Sequence, residues 1–590
     1  MEDKTMIYNL LNKDNKVLVI FILLGLLTTF FADDYLLYIA SSWLIFGILG
    51  LSLDILWGKV GVLSLGQTIF YGLGGYAGSI LAINLAPAFG NTFLLVLPLS
   101  ALVGALTAAI VGYFIFYGRM GELQVTILTY TLVLLVWTLS ISYSFTIGEA
   151  VVGGDNGLSN IPYFSFSKGW ELNETEMFLS VLFISSLLLF FCQKMMKTPF
   201  GKIIECIRQD AVKTELLGYD IRKYNTIIFV ISGGIAGIGG GLFALWGNYL
   251  NPSMFSVAEA LLVPIYVLLG GLGTLVGPFI GAIVIGALSF FLGSFSGGQA
   301  TLVIGIILIL MVLFFDKGIV GIIISIKEKF YSEETKDDLI DIDITHYKNI
   351  DKFSSKSFET KDVYKSFGGV VPVNNVSLKF NPGHITCVIG PNGAGKSSYL
   401  KVCTGLYSIK EGEILLDNKD ISKYELHNRV QAGLGIKMQK PQIFKSFSIK
   451  DNIWISAYSK TKNISEADEI CANMLQIIGG VEHGSRTADI LSHGEQQWLD
   501  IIMVLSLNPS VLLLDEPAAG MTKNERTKLS SLINKIALDK TIILVEHDMD
   551  FVKSLNAKVV VLHQGKVFDT GTFEEITKNE EVLDIYLGRK

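Results

Sequence analysis

Charge is scarce in this sequence. Only 17% of its 590 residues are Asp, Glu, Lys or Arg, 51% are hydrophobic, and mean hydropathy is +0.50. A soluble protein carries about a quarter charged residues, so a wholly soluble chain is excluded. Cysteine is scarcer still: Cys192, Cys206, Cys387, Cys403 and Cys471 are scattered and show no paired metal spacing. An odd, sparse set points to reduced thiols in a cytosolic setting and away from a disulfide framework. There is no basic excess either. Lys and Arg number 47 against 54 acidic residues, for a net charge of -7, and no nucleic-acid partner is expected. A small-residue cleavage site is missing after the first apolar run, which reads as a retained helix.

What is present divides sharply. Residues 17 to about 318 hold long apolar runs, whereas residues 325–590 have an ordinary soluble composition. The expected organisation is a transmembrane domain over 1–324, a charged and poorly periodic connector over 325–355, and a soluble domain over 356–590. Crossing a bilayer takes about 20 apolar residues. Candidates lie at 17–32, 35–57, 66–87, 92–118, 122–147, 177–193, 225–248, 257–271, 274–295 and 299–316. The eighth is short and ends in glycines, as a broken or re-entrant segment does.

Charge placement sets the orientation. The loop from Gln193 to Tyr224 carries Lys194, Lys197, Lys202, Arg208, Lys213, Arg222 and Lys223, which assigns it to the cytoplasmic side. The loop from Gly148 to Glu176 carries Glu149, Asp155, Glu171, Glu174 and Glu176 against Lys168, and lies outside. Lys59 and Arg119 then fall inside, Asp33 and Asp34 outside, and the N-terminus and Lys317 both inside. That parity requires an even number of spans, and about ten helices satisfy every loop.

Small residues are dense in these runs, as in Gly233–Gly241, where they suit close helix packing. Glycine-rich interruptions at Gly61–Gly78 and Gly270–Thr274 suit either packing or a midplane pathway. Gln67, Thr68 and Tyr71 are polar at membrane depth. They are candidates for lining a polar-solute route, with helix–helix hydrogen bonding as the alternative. In the long inside loop, Ile203, Ile204, Ile207, Val212, Leu216 and Leu217 form an amphipathic pattern after Pro199. It fits an interfacial helix on lipid headgroups or a lever docked on the soluble domain, and the motifs that follow favour the lever.

Those motifs begin at Gly390-Pro-Asn-Gly-Ala-Gly-Lys-Ser397. The β-branched run Ile385–Ile389 precedes this glycine loop and a helix can follow it, which is the setting of a phosphate-binding loop. Lys396 would reach the β- and γ-phosphates and Ser397 would hold Mg²⁺. Phe367, with Tyr364 second, stands at the distance where an aromatic stacks on adenine, or else fills the core. Gln439 follows an apolar strand and could contact Mg²⁺ and the attacking water. Ser492-His493-Gly494 opens a helix, a second anion-binding N-terminus. Val511–Leu514 ends in Asp515, suited to Mg²⁺, and Glu516, suited to polarising water. Thr541–Val545 leads to His547, suited to the γ-phosphate.

In this order the set resembles the nucleotide-binding domain of ABC transporters over about 355–590. Gly390–Ser397 is similar to the Walker A loop, Gln439 to the Q-loop and Leu491–Gln496 to the signature motif. Leu512–Glu516 is similar to Walker B with its catalytic Glu, and His547 to the switch histidine. The resemblance implies ATP and Mg²⁺ as cofactors. It assigns catalysis to Glu516, His547 and Gln439, and metal contact to Ser397, Gln439 and Asp515. Nucleotide contact falls to Phe367, Gly390, Asn392, Gly393, Gly395, Lys396, Ser397, Ser398, Ser492 and Gly494. His493 replaces the family's usual Gly and Glu495 a common Gln, while Ser492 and Gly494, which in the family contact the opposing γ-phosphate, remain.

The first half resembles permeases of branched-chain amino acid and urea importers. The carrying residues are Gly58–Gly66, Thr198–Gly201 through Gly218, and Gly270–Pro278. Gln439-Lys440-Pro441, Ser492-His493-Gly494, Gln497-Trp498-Leu499, Ala519–Thr522, Leu562–Gly565 and the tail Tyr586–Arg589 make the ATPase half resemble the urea and short-chain amide branch more closely. The expected architecture is therefore an α-helical transmembrane permease of about ten helices followed by an α/β P-loop NTPase (ABC ATPase) domain. The expected function is ATP-driven import of a small polar nitrogen compound, urea or a short-chain amide first and branched-chain amino acids second. An ATP-gated channel-like or regulatory protein is the rival from another class. The resemblance further implies a second permease/ATPase pair (an identical chain or paralogous subunits), an external solute-binding protein and membrane lipid as partners. The place would be a bacterial cytoplasmic (inner) membrane, with the ATPase domain and both termini cytoplasmic.

Overall fold

Nine of the ten apolar segments are helical in the computed structural model of the chain, which describes residues 16–168, 170–295, 305–306, 309, 318–322, 342–347 and 355–586. Most of the tenth segment (299–316), the N-terminal 1–15, most of the connector 325–355 and the tail 587–590 lie outside the described residues. The chain divides into two units, Met1–Arg208 with Arg222–Thr335, and Gln209–Ile221 with Lys336–Lys590.

In the first unit the helices are α1 (Lys16–Phe31), α2 (Asp34–Val60), α3 (Gln67–Phe89), α4 (Thr92–Tyr117), α5 (Glu122–Ser142) and α6 (Glu174–Lys197). After α7 (Pro199–Gln209) and α8 (Ala211–Leu216) come α9 (Ile221–Gly247), α10 (Val257–Gly270) and α11 (Gly277–Phe295). Among the described residues, α2, α3, α4, α5, α6 and α9 are long and apolar enough to cross a membrane, while α1, α10 and α11 are shorter apolar helices. Two hairpins, β1 (Ser144–Ile147) with β2 (Ala150–Gly153) and β3 (Ser165–Ser167) with β4 (Trp170–Glu171), join α5 to α6.

Side-chain caps fix the helix starts. Asp33 accepts from Leu36 N, Asn91 from Leu94 N, and Asn173 pairs with Glu176 in a capping box. Between α3 and α9 the small residues act through contact: a methyl on Gly240 would run into the Tyr71 carbonyl, so the two backbones touch. The glycine break after α10 has a partner that composition hides. Asp54, fully buried in α2, accepts from Gly273 N at 2.6 Å and Leu275 N at 2.8 Å. This loop is thereby tied to α2 by charge-assisted bonds. Gln67 Oε1 likewise accepts from Ser52 and Ser232, each at 3.2 Å, which is helix–helix hydrogen bonding. The Thr68 and Tyr71 hydroxyls are buried with no partner among the described residues.

The second unit is built on a six-stranded sheet in the order β10-β11-β12-β7-β13-β14. Its strands are β7 (Ile385–Ile389), β10 (Leu434–Lys437), β11 (Val511–Asp515), β12 (Thr541–Val545), β13 (Lys558–His563) and β14 (Lys566–Thr572). All are parallel except β14. An antiparallel sheet in the order β6-β5-β8-β9 uses β5 (Phe358–Phe367), β6 (Val370–Phe380), β8 (Glu411–Leu416) and β9 (Lys419–Asp420). Every residue of β7, β10, β11 and β12 is buried. Strands covered on both faces read as unbroken apolar runs, which is why they were visible in the sequence.

Helices α12 (Lys396–Thr404), α13 (Leu426–Ala432), α14 (Ile449–Thr461), α15 (Ile464–Leu475) and α16 (His493–Ser506) complete the framework that positions the site. The Gln209–Ile221 stretch belongs to this unit. Leu216 and Leu217 are buried, Tyr219 Oη donates to Ile455 O at 2.6 Å, and Gln431 Nε2 donates to Gly218 O at 2.9 Å. Lys213 Nζ forms a fully buried ion pair with Asp500. Of the two readings of the amphipathic loop, the contacts support the docked one for α8.

Candidate nucleotide-hydrolysis site

Four neighbouring parallel strands place one chemical group each at the same sheet edge. β10 leads to Gln439, β11 ends in Asp515 and runs into Glu516, β12 leads to His547, and β7 runs into the glycine loop. In parallel α/β sheets this carboxyl-end edge is where ligands sit. The loop wraps tightly: Gly395 has φ +99°, and a side chain there would meet the Pro372 carbonyl. α12 starts immediately after it, so the N–H groups of its first turn face the loop's concavity without helical partners. Lys396 is buried and donates to Gly390 O at 2.7 Å and Pro391 O at 3.0 Å. Burial lowers its pKa, opposed by Glu516 and Asp515. Asn392 and Gly393 are exposed at the loop tip, and Ser397 and Ser398 are half-buried.

Beside the loop, Glu516 takes a left-handed backbone conformation (φ +45°) that a side chain adopts only at a cost. Its Oε2 accepts from Gln439 Nε2 at 2.7 Å, and its Oε1 lies 3.5 Å from His547 Nδ1. Glu546, buried behind them, accepts from Ala518 N at 3.1 Å and His547 N at 3.2 Å, fixing both turns. Asp515 is 1% exposed, and its Oδ1 has no hydrogen-bond partner among the described residues. An orphaned buried carboxylate oxygen is unusual and suits a cation.

The structure brings Lys396, Gln439, Asp515, Glu516 and His547 to one edge. Phe367 is 44% exposed, so it is no core aromatic; it packs edge-on against Tyr407 (centroids 4.9 Å, 72°) under Lys365. Tyr407 lies outside every motif, so no sequence signal marks it. Ser492 and Gly494 form a separate group at the start of α16. Ser492 caps that helix reciprocally with Glu495, whose Oε2 accepts from Ser492 N at 2.8 Å. Glu495 thus serves as the carboxylate of a capping box, and His493 sits against Gly520.

Two family models match the chain: "Branched-chain amino acid transport system / permease component" over residues 35–314 and "ABC transporter" over 373–519. The ATP-binding protein LivG of high-affinity branched-chain amino acid transport from Escherichia coli (strain K12) is 33% identical over 239 residues, covering 38% of this chain and 94% of LivG. The corresponding BraF from Pseudomonas aeruginosa is 33% identical over 247 residues, covering 39% of this chain and 97% of BraF. The chain belongs to the ABC transporter family. Among solved structures, the ADP conformation of an ATP-binding cassette of an ABC transporter is 26% identical with a TM-score of 0.36, covering 40% of this chain and 99% of that one.

This ABC transporter is therefore a membrane protein carrying an importer-type permease and an ATP-binding, ATP-hydrolysing cassette on one chain. It is related to branched-chain amino acid transporters. In this cassette, burial, reinforced by neighbouring Glu516, pushes the Asp515 carboxyl up to about 6 against the pull of Lys437, Lys401 and Lys396. An acid with a raised folded pKa favours the fold when protonated. That contribution is complete below the unfolded value of 3.8 and is lost as pH rises through about 6. Asp515→Asn should accordingly stabilise the nucleotide-free cassette by about 2 kcal/mol at pH 7.5, with the gain vanishing near pH 4. Thermal melts across that range measure it. Equal melting of the two proteins at pH 7.5 would contradict a desolvated Asp515.

Proposed function

We propose that the chain is the fused permease and ATPase of an importer for urea or a short-chain amide, using ATP with Mg²⁺. The observation that carries the ATP-driven part is Gln439, Glu516 and His547 meeting beside the orphaned Asp515 oxygen. Asp515, Ser397 and Gln439 would hold Mg²⁺, which when bound neutralises charge on the phosphates. Lys396 and the N–H groups of Gly393–Ser398 bind phosphate oxygens, with Gly390, Gly395 and Asn392 shaping the cradle, and Phe367 with Tyr407 stacks on the base. Gln439 orients a water, Glu516 takes its proton, and His547 steadies Glu516 and the γ-phosphate. Ser492 and Gly494 serve the site of a second cassette, supplied by an identical chain or a paralogous pair.

The permease domain is taken as 1–324 and the cassette as 356–590, with 325–355 between them. The cassette and both termini face the cytoplasm, and an external solute-binding protein delivers solute. The urea assignment is supported by Gln439-Lys440-Pro441, Ser492-His493-Gly494 and Gln497-Trp498-Leu499. Branched-chain amino acid import is the second reading, favoured by the names of the matching permease model and relatives. Uptake of labelled urea against labelled leucine by membranes containing the full assembly tests both. Urea should accumulate against its gradient, and Lys396→Ala should abolish accumulation. Leucine uptake without urea uptake selects the second reading, while solute flux that only runs downhill, with no accumulation against a gradient, selects an ATP-gated channel-like or regulatory protein.

A further inference from the structure

A cavity of about 280 Å³ opens in the first unit between α2, α3, α9 and the start of α10, lined by Tyr38, Thr68, Tyr71, Phe243, Trp246 and Glu259 among others. Its aromatic wall is continuous. Tyr38 stacks on Trp246 (centroids 4.7 Å, 22°), Trp246 meets Phe243 at 5.4 Å, and Phe243 meets Tyr71 at 5.9 Å. Trp246 Nε1 is committed to Tyr38 O at 2.8 Å, which locks the pair. Three oxygen-bearing groups in the lining are uncommitted among the described residues. The Thr68 and Tyr71 hydroxyls, 1% and 2% exposed by residue, have no partner among the described residues. Half-buried Glu259 forms no ion pair among the described residues, and the lining contains no Lys, Arg or His.

Unpaired buried hydroxyls are costly unless something bonds them. A carboxylate amid rings is complementary to groups that donate N–H or carry positive charge. The same lining has nothing to neutralise a free carboxylate, which Glu259 would repel. We propose that this cavity is a solute site for a small compound rich in N–H donors, a neutral amide or a guanidine-type cation, and that it discriminates against solutes bearing a free carboxylate. This deepens the import reading, on which it rests for its place in transport, by naming the chemistry that separates urea and amides from amino acids. Glu259 and the Thr68 and Tyr71 hydroxyls accept the N–H groups, and the aromatic wall excludes water.

The test is saturation-transfer NMR on the full chain in nanodiscs with acetamide, N-methylurea, methylguanidinium, acetate and leucine as probes. Acetamide and acetate match in shape and differ in charge. Acetamide and N-methylurea should bind, with acetate and leucine at least about tenfold weaker. Glu259→Gln should weaken acetamide about tenfold and methylguanidinium more. Thr68→Val and Tyr71→Phe, which remove one hydroxyl each, should weaken the amides too and keep the test sound should the Glu259 variant fail to fold. Binding of acetate equal to acetamide, or binding indifferent to all three substitutions, overturns the proposal. Binding that follows Glu259 in a protein that imports no urea would retain the site and reject the import reading; urea import with unaltered binding in the variants would do the reverse.

Discussion

Glu516→Gln is expected to lower ATP turnover by about 10²- to 10⁴-fold while leaving ATP binding within a few-fold of the parent protein. Glutamine keeps the shape and one acceptor oxygen, so it can retain contact with Gln439 and His547, which sit at 2.7 and 3.5 Å from the two Glu516 oxygens. It cannot accept a proton at neutral pH. The groups assigned to hold phosphate, Lys396 and the α12 N-terminus, bond through β7 and its loop and do not touch Glu516 by hydrogen bonds. Binding and chemistry should therefore separate. Nucleotide binding measured with a fluorescent ATP analogue, beside phosphate release, reads both. Undiminished turnover by the variant removes Glu516 from the role of base. Loss of binding in step with turnover would make it a structural residue, whose left-handed backbone is held by bonds from Glu516 N to Val545 O at 2.9 Å and from Ala519 N to Glu516 O at 3.3 Å.

The cassette was legible because its chemistry lies on short stretches that each follow a buried strand. β-branched and apolar runs announce the strands, and the proposed site residues Gln439, Asp515, Glu516 and His547 come within two residues of their ends. Contacts that join distant stretches were not legible. Lys213 and Asp500 are separated by 287 positions, Asp54 and Gly273 by 219. A weak signal existed in each case, since Asp54 and Asp500 are lone charges inside apolar helical runs, Leu53-Asp54-Ile55 and Leu499-Asp500-Ile501. Burying a charge there is costly without a partner, so the partner was implied although its identity was not. The polar trio of α3 was separated only by packing. Gln67 faces Ser52 and Ser232, whereas Thr68 and Tyr71, one and four positions on, line a cavity.

The second large effect is expected at that hidden pair. Lys213→Met takes the ion-pair partner from buried Asp500 and leaves Lys437 as the nearby cation, which costs about 3 kcal/mol, whereas adding Asp500→Asn removes the stranded charge and should recover most of the loss. Asp500 does more than hold α8. Its second oxygen accepts from Gln442 N at 3.3 Å, and Gln442 Nε2 reaches Asp210 at 3.4 Å, immediately before α8. Three residues back, Gln439 holds Glu516. A bonded path thus runs from α8 through Asp500 and the Gln439–Gln442 loop to the assigned base. If the path transmits movement, the double variant should regain most of the parent's stability yet import less solute per ATP, because neutral side chains restore packing without the directional ion pair. Stability is read on the melting transition that ATP raises, and coupling on the ratio of solute taken up to phosphate released. A single variant as stable as the parent would show that the pair is not desolvated. A double variant with an unchanged ratio would show that α8 docks through Lys213 and Asp500 without acting as a lever.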